Sequence, residues 1–288
     1  MSKGSKATIS EASGSIHGLT PVHLAHLAKT SDKLATADGR QIELWALSVP
    51  ADSPHLSSWA RAFRSNYCLD TEIDALRAGT GLSRAQYLVD LVFPDKSKAP
   101  GPAVRSGDFA ELLVADYVEH LLGYWVPRGK YAEKAARDES VKGVDILGFK
   151  MDSDSSPSPS DALLTFEVKA QLTDDKYSGR LQTAIDDSSN DYVRRAMTLN
   201  ATKRRLRRAG ENDKVLVVQR FQNPTDHPYL FKSGAAAVLS GDAYDAAALQ
   251  ESTTAQHVNR DNLELIVIRG TALMTLVHAL YQRAADEA

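Results

Sequence analysis

The chain has 288 residues, and its 34 basic and 37 acidic side chains give a net charge of −3 at pH 7. That length allows one large domain or a core with an attached subdomain, and the mildly acidic balance argues against tight, independent nucleic-acid binding. The single cysteine, Cys68, excludes an internal disulfide and a cysteine-based zinc site.

The first hundred residues predict a tail and a small α+β region. Residues 1–15 are rich in Ser, Gly and Lys without the apolar core of a signal peptide, and they are expected to form a flexible tail. No apolar run reaches the roughly 20 residues that span a bilayer, so we expect a cytoplasmic protein. Residues 16–100 form the N-terminal region, and residues 95–102 indicate a linker. Within that region we expect a helix near 21–31, a strand near 41–49, and helices near 54–67 and 82–93.

Residues 101–288 predict an α/β core with a mixed central sheet flanked by helices. An insert rich in Ser, Asp and Pro, residues 152–161, separates two segments that we interpret as paired strands. The predicted elements of the core begin with a helix at 109–122 and strands at 124–127, around Asp145 and around Glu167. They continue with a basic helix at 191–208, strands at 214–221, 235–239 and 263–269, and helices at 243–250 and 271–285.

The strand around Glu167 carries polar side chains at alternate positions. Side chains alternate across a strand, so Thr165, Glu167, Lys169 and Gln171 share one face. Leu164, Phe166, Val168 and Ala170 share the other. A half-buried strand with a solvated face produces the same pattern.

Asp145 lies in a segment that is apolar on both faces, Val144–Phe149, which indicates burial on both faces. A carboxylate there is costly unless it is paired or bound to a metal. A salt bridge to Lys169 would satisfy it, and so would a magnesium ion shared with Glu167, since magnesium prefers hard oxygen ligands.

Glu111 lies on the same helical line as Val114, Val118 and Leu122 and is therefore a candidate third carboxylate. The alternative is that Asp108 begins the helix and forms a capping box with Glu111.

The predicted helix 191–208 is strongly basic and contains one acid, Asp191. Such a helix is usually a solvated face, but beside a nuclease site it would contact phosphates. Lys142 and Lys150 flank the Asp145 strand and would add to this surface. The basic residues of the helix are Arg194, Arg195, Lys203, Arg204, Arg205, Arg207 and Arg208.

The order of Glu111, Asp145 and Glu167-Val168-Lys169 resembles the PD-(D/E)xK nuclease superfamily, with Val144 at the place of its proline. The segments 63–67, 83–88 and 105–111 resemble more specifically the HamA family, the nuclease subunits of Hachiman anti-phage systems. That resemblance runs from Phe63 to Gln171, and more loosely to the end of the chain.

The resemblance implies a restriction-endonuclease-like fold and magnesium-dependent cleavage of DNA, with manganese able to substitute. Asp145, Glu167 and the carbonyl of Val168 would hold the metal with Glu111, and Lys169 would act on the attacking water or the phosphate. Lys142, Gln171 and the basic helix would contact nucleic acid. The partner implied is a superfamily-2 helicase, HamB-like, in a heteromeric complex that restrains the nuclease, with residues 16–100 as a docking surface.

Two alternatives remain from the residues alone. The polar set would also suit a structural ion-pair cluster in a non-catalytic, helicase-binding module. The same chemistry would also serve an RNA-directed nuclease, because hydrolysis of a phosphodiester does not require reading the sugar.

Overall fold

A mixed sheet of seven strands organises the protein, which confirms the predicted α/β class. The computed structural model describes residues 20–49, 54–153, 156–173 and 176–288; the expected tail at 1–15 lies outside them. The strands are β1 Leu27–Lys29, β2 Leu34–Ala35, β3 Gln41–Leu47, β4 Ile146–Lys150, β5 Ala162–Gln171, β6 Leu230–Ser240 and β7 Leu263–Gly270.

The strand order is β1-β3-β7-β6-β5-β4, with β2 also paired to β3. The four central strands β3, β7, β6 and β5 are parallel, whereas β1, β2 and β4 pair antiparallel. Since β3 pairs directly with β7, strands of the N-terminal region continue the sheet of the core.

Nine α-helices within the described residues flank this sheet, and two of them continue into a wider π turn, at Leu88–Val92 and at Tyr117–Leu121. None combines the length and apolar character needed to cross a bilayer. The helices are α1 His55–Arg64, α2 Ile73–Arg77, α3 Arg84–Tyr87, α4 Gly101–Asp116, α5 Arg180–Ser188, α6 Asp191–Arg208, α7 Asn212–Arg220, α8 Ala246–Gln250 and α9 Leu273–Asp286.

Alternating side chains of the central strands pack into hydrophobic cores on both faces of the sheet. Ala236 and Val238 of β6 pack with α1, α4 and α9. Ala235 and Ala237 face the opposite way and pack with α5. A third core fills the space between β4, β5, α6 and α7. Burial on both faces is what parallel strands with continuous apolar runs require.

Two predicted elements have the wrong type of secondary structure. The helix near 21–31 is a short 3-10 turn, Val22–His26, followed by β1, because Leu27 pairs with Leu47 in the sheet. The strand at 214–221 is helix α7. Of the apolar residues there, only Val218 and Phe221, at helical spacing, are buried, so packing against α6 overrides the β propensity of the valine-rich run.

Helix α4 begins at Gly101, inside the predicted linker and well before the predicted start at Phe109. Asp108 is therefore an interior helical residue, and the capping box with Glu111 is wrong. The strand at 124–127 is reduced to one bridge, between Trp125 and Phe149. Helix α6, in contrast, has the predicted bounds.

Two glycines test this packing in opposite directions. A methyl group at Gly234 would overlap the ring of Phe166, whereas one at Gly107, within α4, meets nothing within 4 Å. Gly234→Ala should lower the free energy of unfolding by about 1–3 kcal/mol through overpacking. Gly107→Ala should raise it by about 0.5–1 kcal/mol through helix propensity. Urea unfolding of both variants measures this; equal effects would contradict the described packing.

Candidate functional site

The register of β4 on β5 places Asp145 beside Glu167. Ile146, the first residue of β4, pairs with Phe166 in the antiparallel ladder, so Asp145, which immediately precedes β4, lies alongside Glu167 of β5. The Oδ2 atom of Asp145 accepts a hydrogen bond from the Val168 amide at 2.9 Å. The Asp145 side chain is therefore held against the backbone of β5, next to Glu167.

Helix α6 holds the segment that leads into Asp145. The Thr198 hydroxyl accepts a hydrogen bond from the Val144 amide at 3.1 Å. Gly143 has φ 120°, and a Cβ there would lie 2.7 Å from the Thr198 oxygen. A glycine is thus required both by the backbone conformation and by the close approach of α6.

Glu167 is 3% exposed and lies between two cationic groups. Lys169 Nζ is 2.5 Å from its Oε1 atom, and Arg194 Nη1 is 3.3 Å from its Oε2 atom. Lys169 also pairs with Asp187 at 2.8 Å. Among the described residues, the ion pairs of Lys169 are thus with Glu167 and Asp187, not with Asp145.

Glu111 projects from α4 and is held by residues that the sequence reasoning missed. Its Oε2 atom accepts hydrogen bonds from the Tyr131 hydroxyl, at 2.7 Å, and from Lys130 Nζ. Lys130 Nζ also donates to the backbone carbonyl of Asp145 at 2.6 Å. Lys130 therefore links Glu111 to the Asp145 segment. Lys130 and Tyr131 lie in a short 3-10 turn after Gly129, and no sequence periodicity identifies them as site residues.

The pKa of the Asp145 carboxyl is raised well above its ordinary value. Burial is the main cause, and the negative charges of Glu111 and Glu167 add to it; Lys130 and the Val168 amide offset part of the effect. Burial lowers the pKa of Lys130, but Glu111 and Asp145 more than compensate, so its pKa is raised. Three acids therefore repel one another across this site.

A fourth acid, Asp191, begins α6 beside Glu167 and is completely buried. Burial, and then the charge of Glu167, raise its pKa to about 7. Arg194 Nη1 lies 3.7 Å from it, beyond hydrogen-bond distance. The sequence showed Asp191 only as the one acid of a basic helix.

A cleft of about 90 Å³ opens onto Glu111 and Asp145 and is bounded by Thr198 and Arg205 of α6. Lys142, which is exposed, lies on its rim. A larger cavity, of about 430 Å³, lies at the ends of β3 and β7 and has no carboxylate in its lining. Of the two, only the smaller cleft is therefore lined by carboxylates that could bind a cation.

The carboxylates do not converge as closely as a compact metal cluster would. Within the described ranges, only Asp116, Glu119 and His120 bring three ligand atoms within 4.8 Å of one another. Arg128 already binds both of those carboxylates, at 2.7 and 2.5 Å, so that trio is an ion-pair cluster.

The Asp145–Glu167 pair nevertheless fits a divalent cation. It offers two hard oxygen donors, and magnesium typically binds one or two carboxylates and keeps several waters. The raised pKa of Asp145 shows that its charge is poorly compensated, which a cation would correct. Glu111 would join as a ligand only by giving up Lys130.

Two other residues that were predicted to contact nucleic acid, Gln171 and Arg195, are engaged within the protein. Gln171 donates to the Lys176 carbonyl and accepts from Ser178, so its amide holds the following loop. Arg195 lies 4.4 Å from the ring centroids of Tyr192 and Phe231.

The remaining basic side chains of α6 divide into paired and unpaired groups. Lys203 binds Gln222, and Arg205 and Arg208 pair with Glu133. Arg204 and Arg207 are exposed, and neither side chain has an ion pair or hydrogen bond within the described part of the chain. These two are the cations of α6 most available to a phosphate.

Fold and site together define a mixed α/β protein with a buried carboxylate–lysine cluster beside its central sheet. The chain matches the HamA family over residues 23–284, and it belongs to that family. This membership places it among the proteins of Hachiman anti-phage defence, a system that includes a partner. No curated protein and no solved structure matches the chain.

Asp145→Asn should stabilise the protein in the presence of EDTA, by on the order of 1–3 kcal/mol at pH 8, because it removes a buried, poorly compensated charge. The amide oxygen can still accept from the Val168 amide. Since the pKa of Asp145 is higher in the folded than in the unfolded chain, folding is penalised only once the carboxyl ionises. The gain should therefore vanish below about pH 4, the ordinary pKa of Asp, and grow as pH rises.

Urea unfolding of both proteins at several pH values measures this difference. Asp186→Asn, at an exposed acid of α5, is the matched control and should show no such gain. An Asp145→Asn variant that is less stable than the wild type at pH 8 would contradict the electrostatic description.

Proposed function

We propose that this protein is a metal-dependent DNA nuclease, the effector of a Hachiman defence system, with a site of the PD-(D/E)xK type. The observation that supports it is the position of Asp145 beside Glu167, with Lys169 paired to Glu167 at 2.5 Å. Family membership supports the role in defence. The proposal places the protein in the cytoplasm, where phage DNA is replicated.

In this proposal Asp145, Glu167 and the carbonyl of Val168 hold a magnesium ion, for which manganese substitutes. The bound ion would lower the pKa of a coordinated water and stabilise charge on the phosphate. Lys169 orients that water or neutralises the phosphate, a role supported by its partial exposure of 22%. Glu111 serves as a further acid of the site once Lys130 releases it.

The substrate strand would pass along α6 toward the cleft. Arg205 already lines the cleft, and Arg204 and Arg207 extend the positive surface outward. Because the whole chain carries a charge of −3, this surface is a local guide rather than an independent DNA-binding domain.

The partner in this proposal is a superfamily-2 helicase, HamB-like, that supplies most of the DNA affinity and restrains cleavage. Residues 16–100 would form its docking surface. Three large apolar side chains in this region, Leu69, Leu76 and Leu91, are 47–54% exposed, which supports a contact with another protein.

A second candidate function is a non-catalytic module that only binds the helicase. It is favoured by the ion pairs themselves, since Lys130 binds Glu111 while Lys169 and Arg194 bind Glu167. In that case the acids and cations would form a structural network. Cleavage assays separate the two functions.

Cleavage of plasmid DNA by this protein together with its helicase should require Mg²⁺ or Mn²⁺ and stop in EDTA. Glu167→Gln and Lys169→Ala should each reduce the rate by about 10²–10³-fold, because each removes charge stabilisation that the transition state needs. Gel electrophoresis over time measures the rate, and a labelled RNA of the same sequence tests whether RNA is cut instead.

Asp186→Asn is again the matched control and should cleave like the wild type. Cleavage that persists both in EDTA and in the Glu167→Ala/Lys169→Ala double variant would end the nuclease proposal. A variant complex that assembles normally shows that lost cleavage does not come from lost assembly.

Arg204→Ala/Arg207→Ala should weaken DNA binding by the complex. Each residue is expected to contact one phosphate, so the slope of log affinity against log salt should fall by about 2. Fluorescence anisotropy at several salt concentrations measures the slope. Lys214→Ala/Arg260→Ala removes the same charge outside both the cleft lining and the proposed docking surface, and it should leave the slope unchanged. An unchanged slope in the α6 variant would contradict the proposed route.

A further inference from the structure

Asp191 is the most unusual carboxylate of the described residues. Its side chain has no exposed surface, yet neither of its carboxylate oxygens has a hydrogen-bond partner. An ionised carboxylate buried without hydrogen bonds is strongly disfavoured, so such a group is normally paired or bound to a metal.

The surroundings of Asp191 are polar and incompletely satisfied. The hydroxyl of Thr165 is also buried and forms no well-aligned hydrogen bond; it lies close enough to the Asp191 carboxylate to lower its pKa, though by less than burial and Glu167 raise it. Thr165 and Glu167 share one face of β5, and Asp191 lies next to Glu167. Two carboxylates and a hydroxyl therefore face one another.

Arg194 is the only cation within ion-pair distance of Asp191 among the described residues, and it is poorly matched to that carboxylate. One of its nitrogens, Nη1, lies 3.3 Å from Glu167 and 3.7 Å from Asp191, so a single nitrogen lies between the two acids. The other nitrogen donates to the Asp187 carbonyl at 3.4 Å. A well-placed arginine would instead bind a carboxylate through two parallel hydrogen bonds.

The geometry points to a second divalent-cation subsite formed by Asp191, Glu167 and the Thr165 hydroxyl. Glu167 would bridge this subsite and the one that it shares with Asp145. The ligand class is a hard divalent cation, Mg²⁺ or Mn²⁺, which takes oxygen donors and completes its shell with water. The inference rests on the proposed function, since Glu167 belongs to the first metal position there.

Helix α6 is well suited to carry this ligand. Asp191 is its first residue, and Arg194 and Thr198 follow at the next helical turns. Thr198 fixes the segment before Asp145, while Arg194 reaches Glu167. Helix α6 thus contacts both the segment before Asp145 and the Glu167 side chain. A cation between Asp191 and Glu167 would release Arg194, which is 31% exposed, toward the cleft as a phosphate contact.

The test is Mn²⁺ binding to the full chain, measured by titration calorimetry and by electron paramagnetic resonance. We expect two Mn²⁺ ions per wild-type chain, with magnetic coupling between them through Glu167. Asp191→Asn should bind one ion and show an uncoupled single-ion spectrum, and Thr165→Val should weaken the second ion about tenfold or more. Asp145→Asn should lose the other ion.

Asp186→Asn, an exposed acid of the neighbouring helix, should bind two ions like the wild type. Asp191→Asn is nearly isosteric, and a circular dichroism spectrum identical to the wild type shows that it folds. An Asp191→Asn variant that keeps the wild-type stoichiometry and coupling overturns this inference and leaves the proposed function standing. A wild-type chain that binds no Mn²⁺ overturns both.

Discussion

The site depends on one electrostatic constraint: several carboxylates are buried side by side against β5. Glu167 raises the pKa of both Asp145 and Asp191, and Glu111 raises that of Asp145 from α4. Like charges in a region with little water repel strongly, so each acid needs a cation or a proton. Burial is the main cause of the raised pKa values of Asp145 and Asp191, and repulsion by neighbouring acids adds to it.

Three cations from three different elements respond to that constraint. Lys130 comes from the turn after Gly129, Lys169 from β5 itself, and Arg194 from α6. Each binds more than one group, and Lys169 is shared by Glu167 and Asp187. Lys169 and Arg194 each lie between two acids, whereas Arg220 pairs with a single acid, Asp161, and otherwise binds backbone carbonyls.

The sequence predicted those parts of the fold and site in which local pattern and tertiary packing agree. The alternation of β5 predicted that Glu167 and Lys169 share a face, and the charge pattern predicted α6 with its bounds. The apolar residues around Asp145 predicted its burial; Val144 and Ile146 are buried, whereas Asp145 itself is half-buried. For β5 and α6, the sequence pattern of the element alone is enough to predict these features.

The failures have a common physical cause, which is that the deciding contact comes from elsewhere in the chain. Helix α7 has a valine-rich run with strand propensity, but its packing against α6 decides its conformation. The capping box failed because α4 extends seven residues before Asp108, whose carboxylate instead binds Tyr67 and Lys134. Lys130 and Tyr131 lie in a turn without periodicity, and only the fold brings them to Glu111.

Burying these acids requires stability from the rest of the molecule. The alternating apolar residues of β6 and β7 supply it, since they fill cores on both faces of the sheet. Proteins commonly keep such locally unfavourable groups where function needs them and offset the cost by packing elsewhere. Asp145 and Asp191 are unfavourable as structural residues, because apolar or amide side chains would fill the same space with less electrostatic cost. Asp145 lines the cleft, so its presence is better explained by a ligand that needs negative charge than by the stability of the fold.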